Sequence, residues 1–363
     1  MTEVWKRSSF HSHDASHMTI TPETLRLSAD AKDALQRISD GHLTALVAAW
    51  VGVWDELGPE FETAILELAL VATDGSISRG ALARSKRLAL TLELATQRLE
   101  ELAGKIGETV GPDLAAIAED GRASQIAMIQ SQLPAGQISI VTDRLNPRSV
   151  DAMVNRTLEQ IHKDTRPLPA DVVRLMKSEL IRGIALGNNP RKTAQRIVKR
   201  AEGRFNGGLT RAMTIARTEV LDMHRVGSQM ADKDNTDILD GWRWHAALNA
   251  RTCPSCLANH GTMHPASEPG PIDHHQGRCA RLPQTKSWAE LGFTGMTEPV
   301  DAFPDAREWF DNLEAESQLA IMGKERLSLL QSGKIQWQGL TTRTQNGQWR
   351  DSMTVTPLAA LRR

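Results

Sequence analysis

All three cysteines of this 363-residue chain fall within 27 residues, as Cys253-Pro-Ser-Cys256 and, after Asp273-His274-His275-Gln-Gly-Arg278, as Cys279. Any fold must bring this short stretch together, because clustered thiols share a job. Two cysteines separated by two residues sit on one turn and aim both sulfurs at one point, as a tetrahedral metal requires. Cys279 supplies a third ligand, and His274 or His275, four or five residues upstream, a fourth. A Cys3His set suits zinc, which accepts thiolate and imidazole equally well. With all four positions filled by protein the ion is structural, pinning a loop-rich segment whose own core is small. Asp273 is placed to orient the ligating imidazole, and Arg251, Arg278 and Arg281 to offset the negative charge of the thiolates. His260 and His264 compete as ligands, at less typical spacing from Cys256.

An odd thiol count argues against a disulfide framework. Residues 1–20 lack the apolar core of a signal peptide. The longest apolar run, Leu43 to Trp54, falls short of the roughly 20 residues that span a bilayer. These features predict a soluble protein made in a reducing cytoplasm, without a membrane anchor, and with a polar, disordered terminus over residues 1–20. A net charge of −1 implies no global attraction to nucleic acid. The charge is nevertheless uneven. Residues 54–120 hold 13 acidic and 6 basic side chains, and residues 171–230 hold 12 basic and 5 acidic.

The first half reads as helix. Thr21-Pro22-Glu23 is an N-cap followed by proline at the first helical position, and Ser28 can cap a second start. Separate helical stretches are expected over Leu43–Leu57, Phe61–Val71 and Ala81–Ile106, without sustained heptads. The pattern breaks at Leu133-Pro-Ala-Gly136. Pro169 opens another helix, which Gly187-Asn-Asn-Pro190 ends. A short helix over Arg191–Ala201 follows, with a basic side formed by Arg191, Lys192, Arg196, Lys199 and Arg200, the candidate nucleic-acid contacts. Gly203–Gly208 reads as a loop, and apolar residues from Leu209 onward at helical spacing predict one long helix to about Met230. Past Gly241 the period becomes two. Trp242, Trp244 and Ala246 point one way and Arg243 and His245 the other, as in a strand. Helix resumes near Ala306, and Ile335–Arg363 is mixed and extended.

At this point the residues acquire a resemblance. Thr214-Ile-Ala-Arg217-Thr218-Glu219 on a helix, then Gly241-Trp242-Arg-Trp244, Arg251-Thr-Cys253-Pro-Ser-Cys256, Gly261, and His274 through Arg278-Cys279 resemble the phage Mu F-like head morphogenesis family, the minor head proteins of tailed phages. His274 takes the family's histidine place and Cys279 its final cysteine place, while Gly277 stands where many members have a cysteine. The tail segments Glu308-Trp309-Phe310, Ile321 to Arg326 and Ser332-Gly333-Lys334 are similar as well, so the likeness covers roughly residues 165–340.

The resemblance implies a metal set of Cys253, Cys256, His274 and Cys279, and a minor capsid protein of the virion, near the portal. Its implied partners are the portal protein, capsid and scaffold proteins, and double-stranded DNA. The expected organisation is a disordered start over 1–20, a helical region over 21–160, a head morphogenesis domain over 165–300 and a tail of helix and extended chain over 301–363. The expected fold class is mainly α with a small α+β zinc-knuckle domain. An HNH-like zinc nuclease is the enzymatic rival, weakened by the missing second Cys-x-x-Cys. A general DNA-binding module is the third reading.

Overall fold

A computed structural model describes residues 19–70, 80, 84–165, 190–345 and 350–362. Three helices dominate it: α1 (Pro22–Leu70), α2 (Lys86–Gln130) and α4 (Pro190–Asp234), with the shorter α3 (Pro147–Thr165) alongside. At 1.5 Å per residue the three long helices each extend about 70 Å. The expected helix beginning at Pro169 lies outside the described residues.

α1 begins as the sequence predicts. The Thr24 amide donates to Thr21 Oγ1 at 3.1 Å and Pro22 occupies the first turn. Ser28 starts no second helix, because α1 runs on without interruption to Leu70 and carries Ser28 inward as a buried residue. The helix also passes through Gly58-Pro59, where two helices were expected. Leu57 and Phe61 on either side of the proline are both buried in the bundle core, and burial of that size outweighs the local cost of proline.

On α2 the buried positions Leu88, Leu99, Val110 and Gly121 recur every 11 residues, with Thr91, Ala95, Leu102, Ile106, Leu114 and Ile117 between them. An 11-residue repeat is 3.67 residues per turn, close to the helix's own 3.6. The stripe therefore stays on one side of the helix, and no heptads are needed. It packs on Trp50, Leu57 and Phe61 of α1 and on Ile215, Ala216, Val220 and Met223 of α4.

α2 and α4 touch backbone to backbone at one crossing. A Cβ on Gly227 would stand 1.9 Å from the Ala118 carbonyl oxygen, and one on Gly121 would stand 2.2 Å from that of His224. Ser228 Oγ donates to the Gly121 carbonyl at 3.1 Å across the same gap. The expected loop over Gly203–Gly208 is instead helical, since α4 is continuous from Pro190. Two adjacent glycines lower helix propensity by only about 1 kcal/mol each, which continuity of the helix on both sides absorbs.

After α4 comes a three-stranded antiparallel sheet in the order β2-β1-β3, formed by β1 (Leu239–His245), β2 (Met263–His264) and β3 (Ala280–Thr285), with the one-turn helix α5 (Pro254–Asn259) between β1 and β2. Trp242 and Trp244 are buried as their alternation predicts. His245, on the opposite face, is buried too, because that face lies against α1: His245 Nδ1 sits 3.1 Å from both Ser28 Oγ and Lys32 Nζ. Ile20, ahead of α1, is buried with Met128 and Leu282, and its amide donates to Asp301 Oδ1 at 3.0 Å.

The remaining chain forms a second apolar cluster. It contains α6 (Ala306–Asp311), α7 (Ala315–Met322), α8 (Lys324–Gln331), a 3-10 turn (Trp337–Leu340), the hairpin of β4 (Thr341–Thr344) and β5 (Ser352–Val355), and a final turn α9 (Leu358–Leu361). Phe310, Met322, Leu327, Leu330 and Leu340 pack there on Leu257 of α5. Helix does resume at Ala306, but Gly323, at φ 73°, breaks it between α7 and α8. The fold is mainly helical with small antiparallel sheets. No helix among the described residues is long and apolar enough to cross a membrane.

Candidate metal centre

Two short segments meet to build the site. The first is the entry to α5. Cys253 stands at the N-cap with Pro254 at the first helical position, so the turn that follows brings Cys256 beneath it, with the two sulfurs 3.5 Å apart. The second is the 273–279 loop, organised by the buried Asp273. Its Oδ1 accepts the His274 amide at 2.8 Å and its Oδ2 the Cys279 amide at 2.9 Å. The loop is tight enough to exclude a side chain at Gly277, where a Cβ would lie 2.1 Å from the Asp273 carboxylate. A cysteine at that position would displace the carboxylate that folds the loop, which gives Gly277 a physical reason.

These segments converge on Cys256. The ligand atoms of Cys253, Cys256 and His274 lie within 4.8 Å of one another, and so do those of Cys256, Asp273 and Cys279. His274 Nε2 is 3.4 Å from Cys256 Sγ, and His274 Nδ1 donates to its neighbour's carbonyl, His275 O, at 2.9 Å. That bond directs Nε2 into the cluster, the usual orientation of a ligating imidazole. Two thiolates on one tetrahedral zinc stand about 3.8 Å apart, given a bond length of about 2.3 Å. The Cys253–Cys256 and Cys256–His274 separations fit that size and the donor types fit zinc, while Cys279 is grouped with Cys256 and Asp273 and not with Cys253 and His274.

Proton sharing inside the cluster points the same way. The hydrogen bond with Cys256, aided by His274, pulls Cys253 down to about 4, and the same Cys253 contact holds His274 up at about 9. Cys256 is pushed up by its bonds to Cys253 and Cys279, and burial raises Cys279. A divalent cation bound between these groups would take the place of the protons they share.

The competing histidines are engaged elsewhere. His260 Nδ1 accepts the Ala246 amide at 3.0 Å and Nε2 donates to Pro304 O at 2.9 Å, so neither nitrogen is available. His264 stacks on Trp242 with ring centroids 4.2 Å apart and pairs with Glu268 at 3.0 Å. Arg281, expected to balance the thiolates, is turned away. It pairs with the fully buried Asp232, donates to the Glu268 and Ala266 carbonyls at 2.6 and 2.5 Å, and lies over the Trp242 ring.

The cation serving the cluster is Arg225 of α4, unrecognised in the sequence. Its guanidinium donates to the carbonyls of Gly277 and Cys279, each at 2.9 Å, and stands 3.5 Å from Asp273 Oδ2. One polar face of α4 grips the whole loop: Thr218 Oγ1 accepts the Gln276 amide at 3.2 Å, Gln276 Nε2 donates to Thr214 Oγ1 at 2.5 Å, and Arg217 reaches both Gln276 and Asp40 of α1. Positions 214, 217, 218 and 225 share one side of a helix. Their spacing was the available signal, and it read only as a polar surface until the loop was placed against it. Arg350 completes the support, bonding Asp222 at 2.8 Å and the Asp273 carbonyl at 3.3 Å.

The polar α4 face, the paired tryptophans of β1 and the cysteine-bearing loops thus form one continuous unit ending at β3. Residues 175–283 match the family model of phage Mu protein F like protein. The Mu F-like segment takes in the described part of α4, β1, α5, β2 and the loop from Asp273 to Cys279. It ends within β3, ahead of the tail segments at 308–334. The match spans 109 of the 363 residues. Comparison of the chain with curated proteins and with solved structures gives no match.

Replacing Arg225 by methionine should leave the buried Asp273 carboxylate with His274, 3.6 Å away, as its remaining partner and two loop carbonyls without a donor. A loss of about 3–5 kcal/mol is expected, read as a lower midpoint in urea unfolding. An unchanged midpoint would show that the loop holds without α4.

Proposed function

We propose that this chain is a minor head protein that takes part in phage procapsid assembly at the portal vertex, and that its cysteine segment is closed by a structural zinc ion. The observation that carries the reading is the coincidence of the family match with the segment containing both the cluster and the α4 face that grips it. Cys253, Cys256, His274 and Cys279 are the proposed ligands. Asp273 is assigned the role of orienting them, since both its oxygens already accept loop amides. When bound, zinc would neutralise thiolate charge and cross-link the α5 turn to the 273–279 loop. The residues of the chain then do the rest. Arg225 and Thr218 hold the loop on α4, and the sheet behind it is fixed to α1 through His245.

The proposed partners are the portal protein and the capsid and scaffold proteins, and the proposed location is the phage head near the portal. Contact with double-stranded DNA is proposed for Arg191, Lys192, Arg196, Lys199 and Arg200. These stand in the first turns of α4, and their side chains lie outside the described residues. Such contact would weaken steeply with salt, because binding phosphates releases counterions.

The test is to isolate procapsids and mature particles and to measure the chain in both. The reading expects a few copies per particle, retained with the portal protein when the shell is disrupted. Absence from both particle types would contradict it. So would metal-dependent cleavage of plasmid DNA that is lost in His274→Ala, the outcome expected of the HNH-like nuclease.

A further inference from the structure

Behind the cysteine loop lies a partly open cavity of about 420 Å³, walled by α1, α4 and the start of β3 and bordered by Met128 of α2 and Pro304. Much of its lining is aliphatic, including Leu35 and Leu221. Neutral polar side chains line it as well, and the charged ones are cationic with one exception: Lys32, Arg217, Arg225, Arg278 and Arg281 against Asp33. Three of these have carboxylate partners, namely Arg217 with Asp40, Arg225 with Asp273 and Arg281 with Asp232. For Lys32 and Arg278, no carboxylate among the described residues lies within ion-pair distance. The single carboxylate on the cavity wall, Asp33, points to solvent.

The bonding of Lys32 is incomplete. Among the described residues its ammonium meets His245 Nδ1 alone, at 3.1 Å, and Ser28 Oγ approaches the same nitrogen at the same distance. Burial keeps that imidazole neutral, so Nδ1 either donates or accepts and can serve only one of the two contacts. Burial also pulls Lys32 down to about 8, as expected of an ammonium lacking a counter-ion. A half-buried cation with no carboxylate partner among the described residues, set beside an apolar space large enough for a small ligand, suits an occupant with an anionic end and an apolar body.

We infer that this cavity binds a small amphiphilic anion, a phosphate or carboxylate group seated on Lys32 and Ser28 with Arg278 at the rim and its apolar part against Leu35 and Leu221. The inference rests on the cavity alone and stands apart from the head-protein reading. A molecule bound there would touch α1, α4 and the backbone beside Cys279 together.

Hexyl phosphate and hexanoate, titrated calorimetrically into the full chain, are suitable probes for the two headgroups, with hexanol as the uncharged control. Saturable binding of at least one anion is expected, at least tenfold tighter than hexanol, since a buried charge-assisted hydrogen bond is worth that much. Lys32→Met should reduce anion binding about tenfold or more while leaving hexanol unaffected. Leu221→Trp, which fills the space without touching the cation, should abolish all binding. The two anions distinguish phosphate from carboxylate ligands. Equal affinity for hexanol and the anions, undiminished binding in either variant, or no saturable binding of any probe by the wild-type chain would overturn the assignment. The wild-type comparison decides even if a variant fails to fold.

Discussion

Stripping metal from the chain with a strong chelator should loosen residues 246–279 selectively, and Cys256→Ser should do the same without chelator. Cys256 is the point at which the two trios of the cluster meet, so its loss removes a ligand from each. A structural zinc contributes on the order of 10 kcal/mol or more where its segment has no core of its own. The segment here is short of one: between β1 and β3 its structure consists of a six-residue helix, a two-residue strand and loops. The long helices have a separate core spread over α1, α2, α3 and α4. Amide hydrogen exchange should therefore speed up by about a hundredfold or more across 246–279, while the centres of α1, α2 and α4 keep their protection. Uniform loss of protection would mean that the cluster holds the whole molecule together, and no change would mean that it holds nothing.

The second large effect concerns the crossing of α2 and α4. Gly227→Ala places a methyl group where only 1.9 Å separates it from the Ala118 carbonyl, a backbone atom unable to rotate aside. The helices must part, opening the packing around Ile117, Ala118 and Met223 and pulling Ser228 from the Gly121 carbonyl. A loss of about 3 kcal/mol or more is expected. Because α4 also carries Thr214, Thr218 and Arg225, the shift should reach the cysteine loop and weaken metal retention. Gly41→Ala in α1 makes the opposite prediction. Nothing lies within 4 Å of that position, so the substitution should stabilise by about 0.5–1 kcal/mol through helix propensity alone. Thermal unfolding of the two variants beside the parent measures both signs at once.

Features that depend on neighbours in sequence were legible. Thr21-Pro22 marks a true helix start, and the alternation around Trp242 marks a strand. Cys253 and Cys256 meet His274, Cys279 meets Cys256, and the apolar spacing from Leu209 belongs to one long helix. Features that depend on what packs across from a residue were not. Gly58-Pro59 and Gly203–Gly208 look like breaks, yet α1 and α4 run through both. Ser28 looks like a cap but contacts His245, 217 positions away. Arg225 and Arg281 are alike as residues, and only the fold decides that the first serves the cysteine loop and the second Asp232. The triplet Arg217-Thr218-Glu219 carries the same lesson, for Thr218 and Arg217 acquire their meaning from Gln276, a residue in a left-handed turn at φ 60° that no local pattern foretells.

The cysteine segment is proposed to be closed by a metal ion. Elemental analysis of the freshly purified chain, with X-ray absorption at the zinc edge, measures this directly. The prediction is about one zinc per chain with a shell of three sulfurs and one nitrogen. A folded, metal-free chain, or a shell composed mostly of oxygen, would contradict it.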